Sequence, residues 1–185
     1  MNRLVLALAV MGLATSTPGL AQSEAEAGRT TRLAPLQFLA DHCWQGVFPG
    51  SETFDVHCFE QMFDGQYLRD VHAVPRGADL YRGETIYHWD PEAEIIRYHY
   101  FNSDGDVSTG TVVEDGDTLR FGDERVAMQD GSVMVLATTW QRQGETAYNA
   151  ITTDITTGEA VEVFNMQFNQ LTRQEAEEML GEPLE

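Results

Sequence analysis

Short apolar-rich, β-prone runs alternate with turn-forming pairs along most of this chain, at a beat of roughly ten residues from Asp64 onward. The punctuation falls at Gly50-Ser51, Asp64-Gly65, Pro75-Arg76-Gly77, Asp90-Pro91, Asp104-Gly105, Asp115-Gly116, Asp130-Gly131, Gln143-Gly144 and Thr157-Gly158. Each pair accepts the backbone angles of a tight reversal. Nine such reversals imply ten strands: Cys43 to Pro49, Thr53 to Phe63, Gln66 to Val74, Leu80 to Trp89, Glu94 to Asn102, Val107 to Glu114, Thr118 to Met128, Val133 to Arg142, Glu145 to Thr153 and Ala160 to Asn169. The expected fold is all-β, an up-and-down antiparallel barrel with short N- and C-terminal helices.

The hairpin around Asp90-Pro91-Glu92-Ala93 sorts its strands into two faces. A four-residue loop that pairs Trp89 with Glu94 puts Tyr81, Gly83, Thr85, Tyr87 and Trp89 opposite Ile96, Tyr98 and Tyr100. The other face carries Arg82, Glu84, Ile86 and His88 opposite Ile95, Arg97, His99 and Phe101. Charge is costly to bury and side chains alternate, so the aromatic face is expected inside the barrel. Buried tyrosines need hydrogen-bond partners that Leu or Phe would not. An interior of this kind reads as a cavity for an amphipathic or aromatic molecule, or as a filled core whose hydroxyls bond one another.

Outside the barrel, Leu4 to Leu13 is an apolar stretch after Arg3, and Gly19-Leu20-Ala21 is a small-residue site. Together they predict a secretory signal over residues 1–21, cleaved after Ala21, since the stretch falls short of the ~20 residues that span a bilayer. Residues 22–34 read as a disordered leader and 35–185 as one barrel domain. Pro35 opens a short helix whose Leu36, Leu39 and Ala40 plug one barrel end. At the far end Thr172 and Glu175 have capping-box spacing ahead of a helix that Gly181 stops.

Cys43 and Cys58 are placed symmetrically about Gly50-Ser51. A two-residue turn there pairs Pro49 with Glu52, Val47 with Phe54, Trp44 with His57 and Cys43 with Cys58, at a hydrogen-bonded pair. In an oxidising compartment the facing thiols should join as a disulfide. Free thiols, or a metal site built from the His42-Cys43 and His57-Cys58 pairs, are the competing readings, although the spacing matches no familiar zinc pattern.

Eleven basic residues, all arginine, stand against thirty acidic ones, and the formal net charge is −19. Such a surface repels phosphate backbones and anionic headgroups, so neither nucleic acid nor membrane insertion is expected. The five histidines, all between His42 and His99, read as scattered solvated groups, with His88 and His99 on the outer face. No nucleophile elbow, zinc-protease pair, phosphate loop or dinucleotide fingerprint occurs. Asp104-Gly105-Asp106 and Asp115-Gly116-Asp117 are hairpin turns and lack the remaining ligands of a calcium loop.

Trp44-Gln45-Gly46 opens the first strand after a short helix, and Tyr81-Arg82-Gly83-Glu84-Thr85-Ile86-Tyr87-His88-Trp89-Asp90 and Tyr98-His99-Tyr100-Phe101-Asn102-Ser103-Asp104-Gly105 follow. In these features, over about Pro35 to Asn169, the chain resembles the calycin superfamily, and in particular lipocalin-like domains of bacterial exported proteins. The resemblance implies a barrel with a cavity for an apolar ligand. It departs at His42, where lipocalins favour Gly, and at Phe48, where related haem-binding barrels continue Trp-x-Gly-x-Gly. Those barrels take their iron ligand from a late histidine, and none follows His99.

The resulting expectation is an exported, periplasmic or secreted barrel that binds a small amphipathic molecule. Tyr81, Thr85, Tyr87, Trp89, Tyr98 and Tyr100 would line the site and Trp44 would close its base, with no catalytic residue, metal or cofactor. An isomerase or hydrolase using a His and a carboxylate in the cavity is the first alternative. An acidic interaction module with a filled interior is the second.

Overall fold

The computed structural model describes residues 32–184, so the signal segment and the cleavage after Ala21 lie outside the described residues, as does most of the expected leader. Ten antiparallel strands run in chain order: β1 (Cys43–Val47), β2 (Phe54–Met62), β3 (Tyr67–Arg76), β4 (Asp79–Asp90), β5 (Ile95–Asn102), β6 (Val107–Asp115), β7 (Thr118–Ala127), β8 (Val133–Arg142), β9 (Ala147–Asp154) and β10 (Val161–Leu171). Each pairs with its sequence neighbours, and β1 closes on β10 to complete the barrel. At that seam Trp44 faces Gln170 and Gly46 faces Phe168. Closure removes the free edges that an open sheet of this length would expose.

Two hairpins differ in detail from the sequence reading. The β1–β2 ladder has the expected register, with Trp44 opposite His57 and Cys43 opposite Cys58. Its loop is longer, however. Ser51 N–H donates to Phe48 O at 3.1 Å, so Pro49 and Gly50, the latter at φ 71°, are the central residues of the turn. That Pro-Gly order suits a type II turn, where the third position requires positive φ. Phe48 N–H then donates to Thr53 O, and Phe59 N–H to His42 O. These bonds shift the ladder phase by one residue, so Cys43 and Cys58 occupy a non-hydrogen-bonded pair rather than the hydrogen-bonded one expected. Non-hydrogen-bonded pairs approach more closely, and here the Cα atoms are 4.0 Å apart and the sulfurs are bonded.

At the β4–β5 hairpin Asp90 pairs with Ile95 and Trp89 with Ile96, a shift of two residues from the expected register. The Asp90 carboxylate causes it: Oδ1 accepts from the Glu92 and Ala93 N–H groups, which moves the loop to Pro91–Glu94. A shift of two preserves which side chains face inward. Tyr87, Ile96 and Tyr98 are accordingly buried while Arg97, His99 and Phe101 are exposed.

Both faces of the β1–β4 wall are covered. On the outside, Cys43, Val56, Cys58, Val71 and Ala73 pack under Ala176 and Leu184, with Leu171 and Leu180 alongside. This cover is α1 (Arg173–Leu180) and the segment after it. The helix starts at the expected capping box, in which Thr172 and Glu175 satisfy each other's backbone N–H, and stops at Gly181 in the left-handed conformation. At the plugged end a 3-10 turn (Ala34–Leu36) leads Leu36 and Leu39, both fully buried, into the main core with Trp44, Tyr148 and Phe168.

The disulfide joins strands that the ladder already pairs, and it fixes β1 beneath the helix. Replacing both cysteines by serine should cost about 3 kcal/mol, the chain-entropy value for a loop of this size. Urea unfolding of the variant beside the reduced and oxidised parent checks this, and a midpoint unchanged by reduction would refute it.

A buried histidine–aspartate network on the inner wall

With α1 covering the outer face of β2 and β3, the alternation is inverted over Asp55–Cys58 and Asp70–Ala73: Val56, Cys58, Val71 and Ala73 point out under the helix, and Asp55, His57, Asp70 and His72 point into the barrel. Asp55, Asp70 and His72 are buried, and His57 nearly so. This corrects the expectation of solvated histidines. His88 and His99 do stack on each other on the charged outer face, but His57 and His72 sit opposite one another in the ladder inside the barrel. Their rings stack with centroids 4.7 Å apart.

The four side chains form one chain of contacts. His57 Nδ1 lies 2.9 and 3.1 Å from the two Asp70 carboxylate oxygens, and Nε2 lies 3.1 Å from Asp55 Oδ2. Asp55 Oδ1 is 3.1 Å from His72 Nδ1. Because a carboxylate only accepts, the His72 Nδ1–H donates. The Tyr100 hydroxyl is 3.1 Å from His72 Nε2 and 2.6 Å from the Tyr81 hydroxyl.

Electrostatics follow from this geometry. Burial opposes charge on His57, but Asp55 and Asp70 overcome it and hold the imidazolium well above the ordinary histidine range. Burial likewise opposes charge on Asp55, and His57 and His72 together keep its carboxyl well below the ordinary carboxylate range. A group between opposite charges in a dry site shifts toward its ionised form. Phe59, Trp140 and Phe168 close around the remaining sides of the His57 ring.

Space for the network comes from Gly83. It pairs with His72 across the β3–β4 ladder, and a Cβ there would stand 2.0 Å from His72 Nε2 and 2.6 Å from the Tyr100 ring. Gly110 does the same for the Tyr98 ring across the β5–β6 ladder. A strand glycine marks such a close approach.

The network forms one wall of a cavity of about 430 Å³ at the end of the barrel opposite the plug. Phe121, Val126, Met134, Leu136, Trp140 and Phe168 make the apolar wall facing it. Of the residues read from the sequence, Tyr81, Thr85, Tyr87, Tyr98 and Tyr100 line this cavity. Trp44 and Trp89 do not. Trp44 is fully buried in the plug, its indole N–H directed at Leu39 O, and Trp89 lines a surface groove with Leu33, Tyr67 and Pro91. At the mouth Arg76 makes a two-pronged contact with Asp104 (2.8 and 2.9 Å) and lies over the Tyr81 ring.

A glutamate also enters the cavity from β7. Irregular pairing between Phe121 and Glu124 adds a residue to the strand, so the inward set changes from Leu119 and Phe121 to Glu124 and Val126. A bulge redirects side chains in this way. Glu124 accepts from the Ser108 hydroxyl, and burial raises its pKa. Burial, together with the charge of the neighbouring Glu124, pushes the Tyr98 hydroxyl up.

Comparison with known proteins found no family model and no curated protein that matches this chain.

Proposed function

We propose that this protein is an exported barrel that binds a small amphipathic molecule in the cavity between the histidine–aspartate network and the apolar wall of β7–β10. The cavity carries the reading. Its volume of about 430 Å³ falls within the range of small-molecule sites, and it combines an apolar wall with a few convergent polar groups. The guest's apolar part would lie against Phe121, Leu136 and Trp140, and its polar end would meet Tyr100, Tyr98 and the network.

Acid–base catalysis by a His–carboxylate pair is the second reading, favoured by the burial of two such pairs in the cavity wall. Binding is preferred because each of the four ring nitrogens already has a neighbour, so a substrate would meet His72 only through the Tyr100 hydroxyl. Kinship with the calycin barrels is part of the same proposal, supported by the closed ten-strand meander. Export is supported by the Cys43–Cys58 bridge. Among the described residues no helix is long and apolar enough to cross a membrane.

The fluorescent probe 1-anilinonaphthalene-8-sulfonate tests the cavity. Wild type should bind it at one site with enhanced emission, Leu136→Trp should abolish that binding by filling the space, and Tyr98→Ala should weaken it about tenfold, the order of one aromatic contact. Equal binding by wild type and a folded Leu136→Trp would put the dye on the outside and overturn the reading.

A further inference from the structure

We propose that Asp55, His57 and His72 form a binding site for one divalent transition-metal ion, with an open coordination position directed into the cavity. One donor atom from each residue lies within 4.8 Å of the other two. Asp55 contacts both histidines at 3.1 Å, His57 Nε2 through Oδ2 and His72 Nδ1 through Oδ1. Ligands about 2.0–2.1 Å from a tetrahedral ion stand about 3.3 Å apart, so an ion would take one carboxylate oxygen and draw together donors that now lie within 4.8 Å of one another. An ion between the three donors would replace the protons that now bridge them.

A second feature, independent of donor spacing, points the same way. Metal-bound histidines typically use their other ring nitrogen to contact a carboxylate, carbonyl or water, which fixes the tautomer and raises ligand basicity. His57 has a carboxylate of this kind, and His72 has a hydroxyl oxygen that can accept from Nε2–H once Nδ1 is given to the metal. His57 presents Nε2 to the site while Nδ1 is held by both oxygens of Asp70. His72 presents Nδ1 while Nε2 faces the Tyr100 hydroxyl, which Tyr81 holds in turn. Gly83 is the space that lets the His72 ring take this position.

Charge supports the assignment. A metal-ligating imidazole is neutral, so Asp55 and Asp70 would be the two negative charges of the filled site, and a dication balances them. Imidazole and carboxylate donors without a thiolate suit zinc and its first-row neighbours rather than calcium or magnesium. Three protein ligands leave a fourth position free, as in zinc sites that bind water or substrate. Here it would face the space beside Tyr100 and Thr85. Metal binding does not rest on the proposed guest, although a guest's lone-pair donor could take that position.

The test uses protein stripped with EDTA and titrated with Zn²⁺ by calorimetry and with Co²⁺ by visible absorption, in a His88→Ala/His99→Ala background that removes the exposed stacked pair. One equivalent should bind, with Co²⁺ giving the intense d–d bands of a four- or five-coordinate site. His72→Ala and Asp55→Asn should abolish these bands. Asp70→Asn and Tyr100→Phe, which leave all three ligands in place, should weaken binding about 10- to 100-fold. Absence of one-equivalent binding in the background protein would overturn the proposal, as would Co²⁺ bands that survive in His72→Ala. Anilinonaphthalene binding is read separately, so a barrel that takes the dye but no metal refutes this site alone, and one that takes metal but no dye refutes only the proposed guest.

Discussion

Asp55→Ala should destabilise the metal-free barrel by about 3–5 kcal/mol, the cost of removing one partner from a buried charge pair. Asp55 is 7% exposed and, among the described residues, is the one that contacts both histidines through its carboxylate. Without it the His57 imidazolium keeps Asp70 alone, and the His72 Nδ1–H loses its acceptor in a dry site. The companion variant should behave differently. Exchanging the whole network for apolar residues of similar size, Asp55→Leu/His57→Phe/Asp70→Leu/His72→Phe, should be neutral or stabilising, because no desolvated charge is left unpaired. Urea unfolding in EDTA compares the two. If the single variant loses more than the quadruple one, the network is a set of costly groups maintained for what it binds. If the quadruple variant is the less stable, the polar groups hold the barrel together, and a functional reading of their burial is not needed.

Much of the barrel was legible because its determinants are local. Turn pairs fixed the number of strands, and the parity of the Asp90 hairpin fixed which aromatic residues face inward, even though the Asp90 carboxylate moved its loop by two residues. The network was not read, for a different physical reason. Hydrophobic alternation assigns the apolar face of a strand to the interior, but β2 and β3 have two interiors: Val56, Cys58, Val71 and Ala73 meet the C-terminal helix outside, which leaves Asp55, His57, Asp70 and His72 to face the lumen. A signal was nevertheless present. Directly opposed residues share a face, so the register that pairs Trp44 with His57 carries His57 inward with the tryptophan, and Asp55 follows two residues away. Glu124 had no comparable signal, since a bulge that changes parity leaves a strand pattern that still looks regular.

Stability of the metal-free protein should be highest between about pH 4 and 6.5 and should fall on both sides. Asp55 is held below its ordinary value of 3.8, so its contribution is complete above that value and is lost as pH drops through the folded pKa. His57 is held well above its ordinary 6.5, so its contribution is complete below that pH and is lost as pH rises toward the folded pKa. Over that upper interval the unfolded chain has released a proton that the folded one retains. The folding equilibrium constant should therefore drop roughly tenfold per pH unit. The titratable groups facing His57 are Asp55 on its own strand and Asp70 and His72 on β3, and aromatic rings fill the remaining sides. Urea midpoints from pH 5 to 9 in EDTA should follow this profile, and His57→Asn should flatten its alkaline arm. A wild-type profile level from pH 6 to 9 would mean that the imidazolium is not held between the two carboxylates. The acidic limit tests Asp55 separately, because Asp55→Ala removes the low-pH loss while leaving Asp70 to sustain part of the alkaline one.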